Sequence, residues 1–216
     1  MLPLGGRPLV FRVMSAFDSF PVDKKILACP EDCITAFSPL AEEAGFSIVS
    51  GPRDDVLARY CIVLRHSGAD RLVRATADNP FVFFDAASSL MEEAESLRAD
   101  YAGYSSLPLG AGVEAVSAEA LFQAEREAKD SYEREHVCPY LYNHPELFRL
   151  HRPTAPQKWQ GSDIRITVDT LEDYRQAEIL YDYLLSLPSD ERNLGETIIT
   201  AHRKLLADKK LPGSEK

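Results

Sequence analysis

The chain has 216 residues, of which 45% are hydrophobic, and its formal net charge is −10 at pH 7. A chain of this length can bury one sizeable core, so a single domain over residues 1–216 is expected. The acidic balance weighs against a nucleic-acid partner, because a phosphate backbone requires a basic face and the Lys and Arg residues form no cluster.

Cysteine spacing and the lengths of the apolar runs predict a cytoplasmic protein. The four cysteines lack the paired spacing of a zinc site, and a chain of this length does not need disulfides for stability. No run approaches the roughly 18 apolar residues of a membrane span, so no membrane partner is expected. Gly5, Gly6, Arg7 and Pro8 also interrupt any apolar core of a secretory signal peptide.

The first half of the chain alternates predicted helices and strands. The opening LPLGGRPLVFRV predicts a loop that leads into a helix, because Pro8 suits the first turn of a helix. Ser38 with Pro39 predicts the start of a second helix, and Asp54 predicts the cap of a third, which Gly68 ends. Three apolar segments bounded by turn residues predict strands: KKILACPED, FSIVSG and RLVRAT.

The second half continues the alternation. Ser117 predicts the start of a helix, REHVCPYLYNHP predicts one helix that Pro145 ends, and Thr170 with Asp173 predicts a capping box. DIRITV predicts a late strand, and residues 148–161 predict an irregular segment. Together these elements predict an α/β fold with a doubly wound, mostly parallel sheet, which binds ligands at the carboxyl ends of its strands.

Two aspartates directly follow predicted strands. Asp78 comes after RLVRAT and Asp169 after DIRITV, so both carboxylates are expected at the ligand-binding edge of the sheet. Mg²⁺ is commonly bound by one or two carboxylates together with phosphate oxygens and water. The alternative is that each aspartate caps the helix after it. The pattern alone leaves both interpretations open.

Six segments, in order, carry a family resemblance: LPLGGRPLVFRV, GPRDDVLARY, RATADNPFV, PLGAGVEAVSAEAL, YEREHVCPYLYNHPELF and RITVDTLEDY. From Leu2 to about Leu184 the chain resembles the SpsF family of spore coat polysaccharide biosynthesis proteins. These are related to the acylneuraminate and 3-deoxy-manno-octulosonate cytidylyltransferases. The resemblance implies a nucleotide-diphospho-sugar transferase fold, Mg²⁺ as cofactor, a homodimer, and transfer of CMP from CTP to a sugar with release of pyrophosphate.

The resemblance also implies roles for residues in the matched motifs. The residues implied to hold the metal and carry catalysis are Asp78 and Asp169. Those implied to line the nucleotide site are Arg7, Asp55 and Arg59, and those implied on the sugar side are Glu114, Glu135 and His136. Two alternatives stay open: Arg59 pairs with Asp55 at helical i,i+4 spacing, and His136 is simply packed or hydrogen-bonded.

One part of the family pattern is not matched. Family members normally begin with a strand and an arginine-containing loop that wraps the triphosphate, before the segment matched here by LPLGGRP. Two hypotheses follow: an enzyme whose cellular chain starts upstream of Met1 and carries the loop, or a degenerate, non-catalytic protein that binds a nucleotide, a sugar or a partner subunit. CTP is the favoured nucleotide, while neither the base nor the sugar is fixed by these residues.

Overall fold

The computed structural model describes residues 2–18 and 20–212. It opens with a short antiparallel hairpin, in which β1 (Pro3–Leu4) and β2 (Arg7–Pro8) pair across two glycines with positive φ. Helix α1 (Leu9–Ala16) follows at once, as predicted. The segment predicted as a loop is therefore a tight hairpin turn, a conformation that Gly-Gly favours.

A two-stranded parallel sheet follows, made of β3 (Ile26–Pro30) and β4 (Ser47–Gly51). Helix α2 (Ile34–Glu43) connects the two strands and carries Pro39 in its interior. The prediction that Ser38 and Pro39 start this helix is wrong, because a 3-10 turn runs directly into Ile34. The Ser38 hydroxyl instead donates to the Ile34 carbonyl, four residues back.

A second, four-stranded sheet has the order β5 (Arg71–Arg74), β7 (Glu114–Ser117), β6 (Tyr101–Ala102) and β8 (Leu150–His151). Strand β7 is antiparallel to both of its neighbours, whereas β6 and β8 are parallel. The predicted α/β fold is confirmed, and its strand pairing is mixed rather than mostly parallel. The reason is that β6 and β7 are joined by a loop, which permits antiparallel pairing, and not by a crossover helix.

Helix α3 (Val56–Ser67) links the two sheets. Its cap is Asp55, whose carboxylate accepts from the Ala58 N–H at 3.0 Å, so the predicted cap at Asp54 is wrong by one residue. Gly68 ends α3 in the left-handed conformation, as predicted.

The remaining helices are α4 (Phe84–Ser96), α5 (Ala118–Glu127), α6 (Ser131–His136), α7 (Pro139–Asn143), α8 (Leu171–Leu185) and α9 (Gly195–Ala207). Ser117 caps α5, and the capping box of Thr170 and Asp173 opens α8, both as predicted. The single helix predicted for REHVCPYLYNHP is wrong, because Val137 has a φ of 76° and separates α6 from α7. Pro139 lacks the N–H that a continuous helix would need.

Helices cover both faces of the second sheet. Ala102 and Ala115 form a cross-strand pair and are buried against α4, while the next pair, Tyr101 and Val116, is buried on the opposite face with α3, α5 and α7. This alternation is the period-two pattern of strands with two buried faces. None of the helices in the described ranges is long and apolar enough to cross a membrane.

The two sheets are not hydrogen-bonded to each other. Within residues 2–18 and 20–212, no strand pairs with both β3 and β5. Lys24 Nζ donates to the Ser67 carbonyl at 2.5 Å, which ties the segment before β3 to the end of α3. All four residues of β5 are half-buried, while Tyr101 and Ala102 of β6 are buried. In the described chain, β5 is therefore an edge strand with one unpaired row of backbone groups.

Candidate active site

A cavity of about 320 Å³ opens at the carboxyl end of β5. Its lining comes from the end of β5 and the loop after it, from β6 and the residues after it, and from the loop that leads into β7. The cavity therefore lies where strand ends and loops converge, which is the usual location of ligand sites in α/β sheets.

The cavity contains one partly buried ion pair, between Arg74 and Glu114. These residues are direct cross-strand partners on β5 and β7, so their side chains lie on the same face of the sheet. Arg74 also donates to the His136 carbonyl at 3.2 Å, and the Tyr101 hydroxyl donates to Glu114 Oε1 at 2.8 Å. Arg74 Nε is buried and has no hydrogen-bond partner among the described residues.

Arg74 keeps its positive charge in this setting. Burial alone lowers the pKa of Arg74, but Tyr60 and Glu114 raise that pKa above its ordinary value, so Arg74 stays charged. The side chain of Arg74 is 11% exposed and that of Glu114 is 25% exposed. A charge with so little access to water needs a partner of opposite sign, which the register of β5 and β7 supplies.

Tyr104 lines the cavity beside this pair. Its hydroxyl donates to the carboxylate of Glu93 on α4, which is also within 2.6 Å of His151 Nε2 on β8. The Tyr104 ring packs against Trp159, with 5.8 Å between the ring centroids. Burial and the contact with Glu93 raise the pKa of Tyr104, so it presents a neutral aromatic surface to the cavity.

The loop before β7 is held by the segment that was predicted as the strand DIRITV. That strand prediction is wrong, because the segment forms a single bridge, between Arg165 and Leu109. The Leu109 N–H donates to the Ile164 carbonyl and the Ile166 N–H to the Leu109 carbonyl, both at 2.9 Å. The hydrogen bonds of this segment are thus made to an irregular loop and not to a neighbouring strand.

Gly110 makes this close approach possible. Its φ is +96°, and a Cβ at this position would lie 2.6 Å from the Thr167 backbone nitrogen.

We expect Gly110→Ala to lower the free energy of unfolding by about 2 kcal/mol or more, from backbone strain and the collision. Urea unfolding measures this loss. Gly112→Ala is the matched control, because a Cβ there meets only a flexible Leu107 methyl at 3.2 Å; equal losses in both variants would contradict the argument.

The two predicted metal-binding aspartates lie on adjacent segments. The Val168 N–H donates to the Asp78 carbonyl at 2.9 Å, which places the backbone before Asp169 directly beside Asp78. Neither aspartate caps a helix, since the N-cap of α4 is Phe83 and that of α8 is Thr170. The alternative interpretation of Asp78 and Asp169 as helix caps is therefore wrong.

Of the two carboxylates, that of Asp78 has an oxygen without a partner in the described residues, whereas that of Asp169 is already paired. Asp78 Oδ1 is buried and has no hydrogen-bond partner in the described part of the chain, and its neighbour Asn79 lines the cavity. The carboxylate of Asp169 accepts from Arg165. No group of three or more His, Cys, Asp or Glu side chains within the described residues could hold a metal ion. Two carboxylates would leave most of the coordination shell to water and phosphate oxygens, as Mg²⁺ prefers.

Asp173 positions the backbone of Asp169. Its carboxylate accepts from Arg165 Nε at 3.0 Å and from the backbone N–H groups of Asp169 and Thr170 at 3.1 and 2.9 Å. The hydrogen bond from Arg165 and then those from Thr170 and Asp169 lower the pKa of Asp173 to about 2. The capping box of α8 thus also fixes the residue proposed to bind metal.

This depressed pKa predicts a pH dependence of stability. Because the pKa of Asp173 is lower in the folded state than in the unfolded state, its ionised form stabilises the fold above about pH 4, and this contribution is lost as the pH falls through about 2. We expect wild type to exceed Asp173→Asn by about 1–2 kcal/mol in free energy of unfolding at pH 6, and the gap to narrow as the pH approaches 2. Urea unfolding at several pH values measures the gap; a constant gap would contradict the assignment.

The residues predicted to line the nucleotide site do not line this cavity. Arg7 pairs with Glu43 and lies 4.0 Å above the Phe11 ring. Asp55, besides capping α3, accepts from Arg134 Nε at 2.7 Å. Arg59 donates to the carbonyls of Pro52 and Arg53 at 2.7 and 3.2 Å. The alternative that Arg59 pairs with Asp55 is wrong, because Asp55 pairs with Arg134; the nucleotide roles stay predictions.

Of the residues predicted on the sugar side, Glu114 lines the cavity and the other two lie outside its lining. Glu135 is exposed on α6. The His136 ring packs on Tyr132 with 4.2 Å between centroids, and its carbonyl, not its ring, contacts Arg74. The structure therefore places Glu114 in one cavity with three residues that no sequence motif indicated: Arg74, Tyr101 and Tyr104. Arg74 could have been noticed as a charged residue at the carboxyl end of a predicted apolar strand.

Comparison with known proteins gives the class of this fold. The profile of a family described as "Cytidylyltransferase" matches residues 1–207, and the chain belongs to that family. The "Spore coat polysaccharide biosynthesis protein SpsF" of Bacillus subtilis is 33% identical over 138 residues, which are 63% of this chain and 58% of that protein. An uncharacterised protein of Methanocaldococcus jannaschii is 31% identical over 140 residues, or 65% of this chain and 58% of that protein. The aligned region thus spans less than two thirds of either relative.

Two solved structures share the fold. A cytidylyltransferase of Leptospira borgpetersenii has a TM-score of 0.81 at 18% identity, covering 100% of this chain and 90% of that chain. A CMP:2-keto-3-deoxy-manno-octonic acid synthetase, solved in complex with CTP, has a TM-score of 0.65 at 12% identity, covering 86% of this chain and 91% of that chain. The predicted family and fold class are therefore confirmed.

Proposed function

We propose that this chain belongs to a nucleotidyltransferase that transfers CMP from CTP to a sugar and releases pyrophosphate. The observation that carries the proposal is the buried, unpartnered Oδ1 of Asp78, adjacent to the cavity and beside the segment that bears Asp169. The family membership supports the reaction class, since the family is described as cytidylyltransferases.

In the proposed mechanism, Asp78 and Asp169 would hold Mg²⁺, which would supply positive charge to the phosphates of CTP. The cavity holds the acceptor sugar beside them, and Glu114 and Arg74 orient it by hydrogen bonds. Tyr104 and the loop around Gly110 shield one side of the sugar from water. Positioning and electrostatic stabilisation of this kind account for most of the catalysis of phosphoryl transfer.

A second candidate is a non-catalytic protein that binds a nucleotide or a sugar. One observation favours it: Arg7 is engaged by Glu43 and Arg59 by backbone carbonyls, so neither predicted cation lines the cavity. A transferase needs positively charged groups beside the phosphates that leave as pyrophosphate. The choice of CTP, a role in surface polysaccharide or spore coat synthesis, the homodimer, the single domain and the cytoplasmic location also remain proposals.

A thermal-shift screen of CTP, UTP, GTP and ATP, each with Mg²⁺ or with EDTA, tests the proposal on this chain. A nucleotide present at 100 times its Kd stabilises the native state by about 2.7 kcal/mol, which for a chain of this size raises Tm by about 5–10 °C. We expect CTP with Mg²⁺ to give the largest shift and EDTA to remove most of it. No shift with any nucleotide would contradict the proposal.

A further inference from the structure

Arg165 contacts one of the two proposed metal ligands, and the proposed mechanism gives it no role. Its guanidinium donates to the carboxylate of Asp169 and, from Nε at 3.0 Å, to that of Asp173. Resting on the proposed function for the metal site itself, we infer that Arg165 is a positioning residue that weakens the binding of a free divalent cation at Asp169. The cation then binds there together with the phosphates of a nucleotide.

Asp173 holds Arg165 in place independently of Asp169. The side chain of Asp173 is largely buried, at 10% exposure, and its carboxylate also accepts from two backbone N–H groups just before α8. The residues on either side of Arg165 in the chain form hydrogen bonds with Leu109, both at 2.9 Å, so the backbone of Arg165 is fixed as well. Arg165 therefore stays beside Asp169 when that carboxylate gains a second partner.

Arg165 and a metal ion would share the carboxylate of Asp169. The two side chains of this ion pair are 43% and 49% exposed, so a cation from solution can reach the carboxylate. Two positive groups on one carboxylate repel each other. The formal charge of Asp78, Asp169, Asp173 and Arg165 together is −2, and it becomes −3 without the guanidinium. Removal of Arg165 should therefore favour the binding of a free divalent cation.

Phosphate groups reverse the effect of Arg165. Phosphate oxygens bound to a cation on Asp169 would lie near the guanidinium on the same carboxylate, and opposite charges at such separations attract. Nη1 of Arg165 makes no hydrogen bond within the described residues, so its N–H groups are available to a phosphate oxygen. The same residue should thus weaken the binding of a free cation and strengthen the binding of a cation with its nucleotide.

Arg165→Gln tests this inference through two affinities that should change in opposite directions. Mn²⁺ is the probe, because oxygen ligands suit it as they suit Mg²⁺ and its EPR signal distinguishes the free from the bound ion. Without nucleotide, we expect Arg165→Gln to bind Mn²⁺ about fivefold or more tightly than wild type, and added Asp78→Asn should remove this gain. In excess Mn²⁺, calorimetry should show CTP binding to Arg165→Gln about fivefold or more weakly than to wild type.

Three further variants separate the charge of Arg165 from its structural contacts. Arg165→Lys keeps the charge and should bind free Mn²⁺ as weakly as wild type. Arg126→Gln removes the same charge from an exposed position on α5 and should also match wild type. Arg165→Met retains the aliphatic part of the side chain and repeats both measurements if Arg165→Gln does not fold.

The direction of the two changes decides the outcome. Disruption of the local structure would weaken both affinities, so a change of both in the same direction overturns the inference. Free Mn²⁺ that binds equally to wild type and to the neutral variants of Arg165, or to none of them, also overturns it. Tighter binding of free Mn²⁺ by these variants, with no CTP binding by wild type, overturns the proposed function, while the effect of Arg165 on the free cation stands.

Discussion

Asp78→Asn is expected to abolish the Mg²⁺-dependent part of CTP binding and to lower any pyrophosphate release by about 10²–10³-fold or more. Asparagine keeps the shape of the side chain but is a neutral and much weaker ligand for Mg²⁺. Asp78 Oδ1 has no hydrogen-bond partner in the described chain, so the substitution breaks no such contact of that atom. Without Mg²⁺ the Tm should be unchanged or higher, because a partly buried, unpaired negative charge is removed.

Asp169→Asn should lose the same Mg²⁺ dependence at a small cost in stability. It weakens the ion pair with Arg165, which is worth less than about 1 kcal/mol at this exposure. The Tm shift that CTP produces, measured at several Mg²⁺ concentrations, tests both variants. Asp182→Asn, on the exposed side of α8, is the control for loss of one carboxylate and should behave like wild type. If the CTP thermal shift of Asp78→Asn or Asp169→Asn still depends on Mg²⁺ as in wild type, the substituted residue does not bind the metal.

Helix ends set by a local cap were predictable, whereas the starts expected at Ser38 and Asp54 were wrong. The caps at Ser117 and at Thr170 with Asp173 depend on side chains that bond backbone groups three residues away. Gly68 likewise ends α3 through its own conformation. In each of these cases all the residues that form the helix end lie within a few positions of one another in the sequence. These helix ends do not depend on what the rest of the chain contributes.

Two of the wrong predictions concern residues that contact distant parts of the chain. Asp55 rather than Asp54 caps α3, and its carboxylate also accepts from Arg134, 79 residues further along the chain. The DIRITV segment has the apolar alternation of a strand, yet its neighbour is the loop around Leu109, so it forms one bridge. Apolar alternation indicates which residues are buried but not whether a straight partner strand is available.

The candidate site was predicted in part. Because strand ends meet at one edge of a sheet, the segments of Asp78 and Asp169 were expected to lie together, and they do. Asp169 nevertheless follows no regular strand. Arg74 was missed because its importance depends on the β5–β7 register, which places it opposite Glu114. Helix α4 and strand β6 lie between β5 and β7 in the chain, so no tight turn fixes the register of this antiparallel pair, and the sequence could not supply it.

A chain extended upstream of Met1 by a strand and a phosphate-binding loop is expected to join the two sheets. In the described chain, β3 pairs with β4 alone and β5 with β7 alone. A strand inserted between them would satisfy the unpaired row of backbone groups on each, at about 1 kcal/mol of net stabilisation per hydrogen bond. Amide hydrogen exchange of residues 26–30 and 71–74 should slow by at least about 100-fold, and Tm should rise by several degrees.

The same extension separates the two candidate functions. If its loop binds the phosphates of CTP, the extended chain should release pyrophosphate at a rate at least about 10³-fold above that of the shorter one, because the loop would add backbone and cationic donors beside the leaving group. An extension of equal length with proline at alternate strand positions is the control, since proline cannot donate to a strand ladder. Exchange rates in β3 and β5 that are equal in both extended chains would show that no strand inserts there. Slowed exchange without pyrophosphate release would favour the non-catalytic binding protein, because the added strand would then pair with the sheets while the chemistry was still absent.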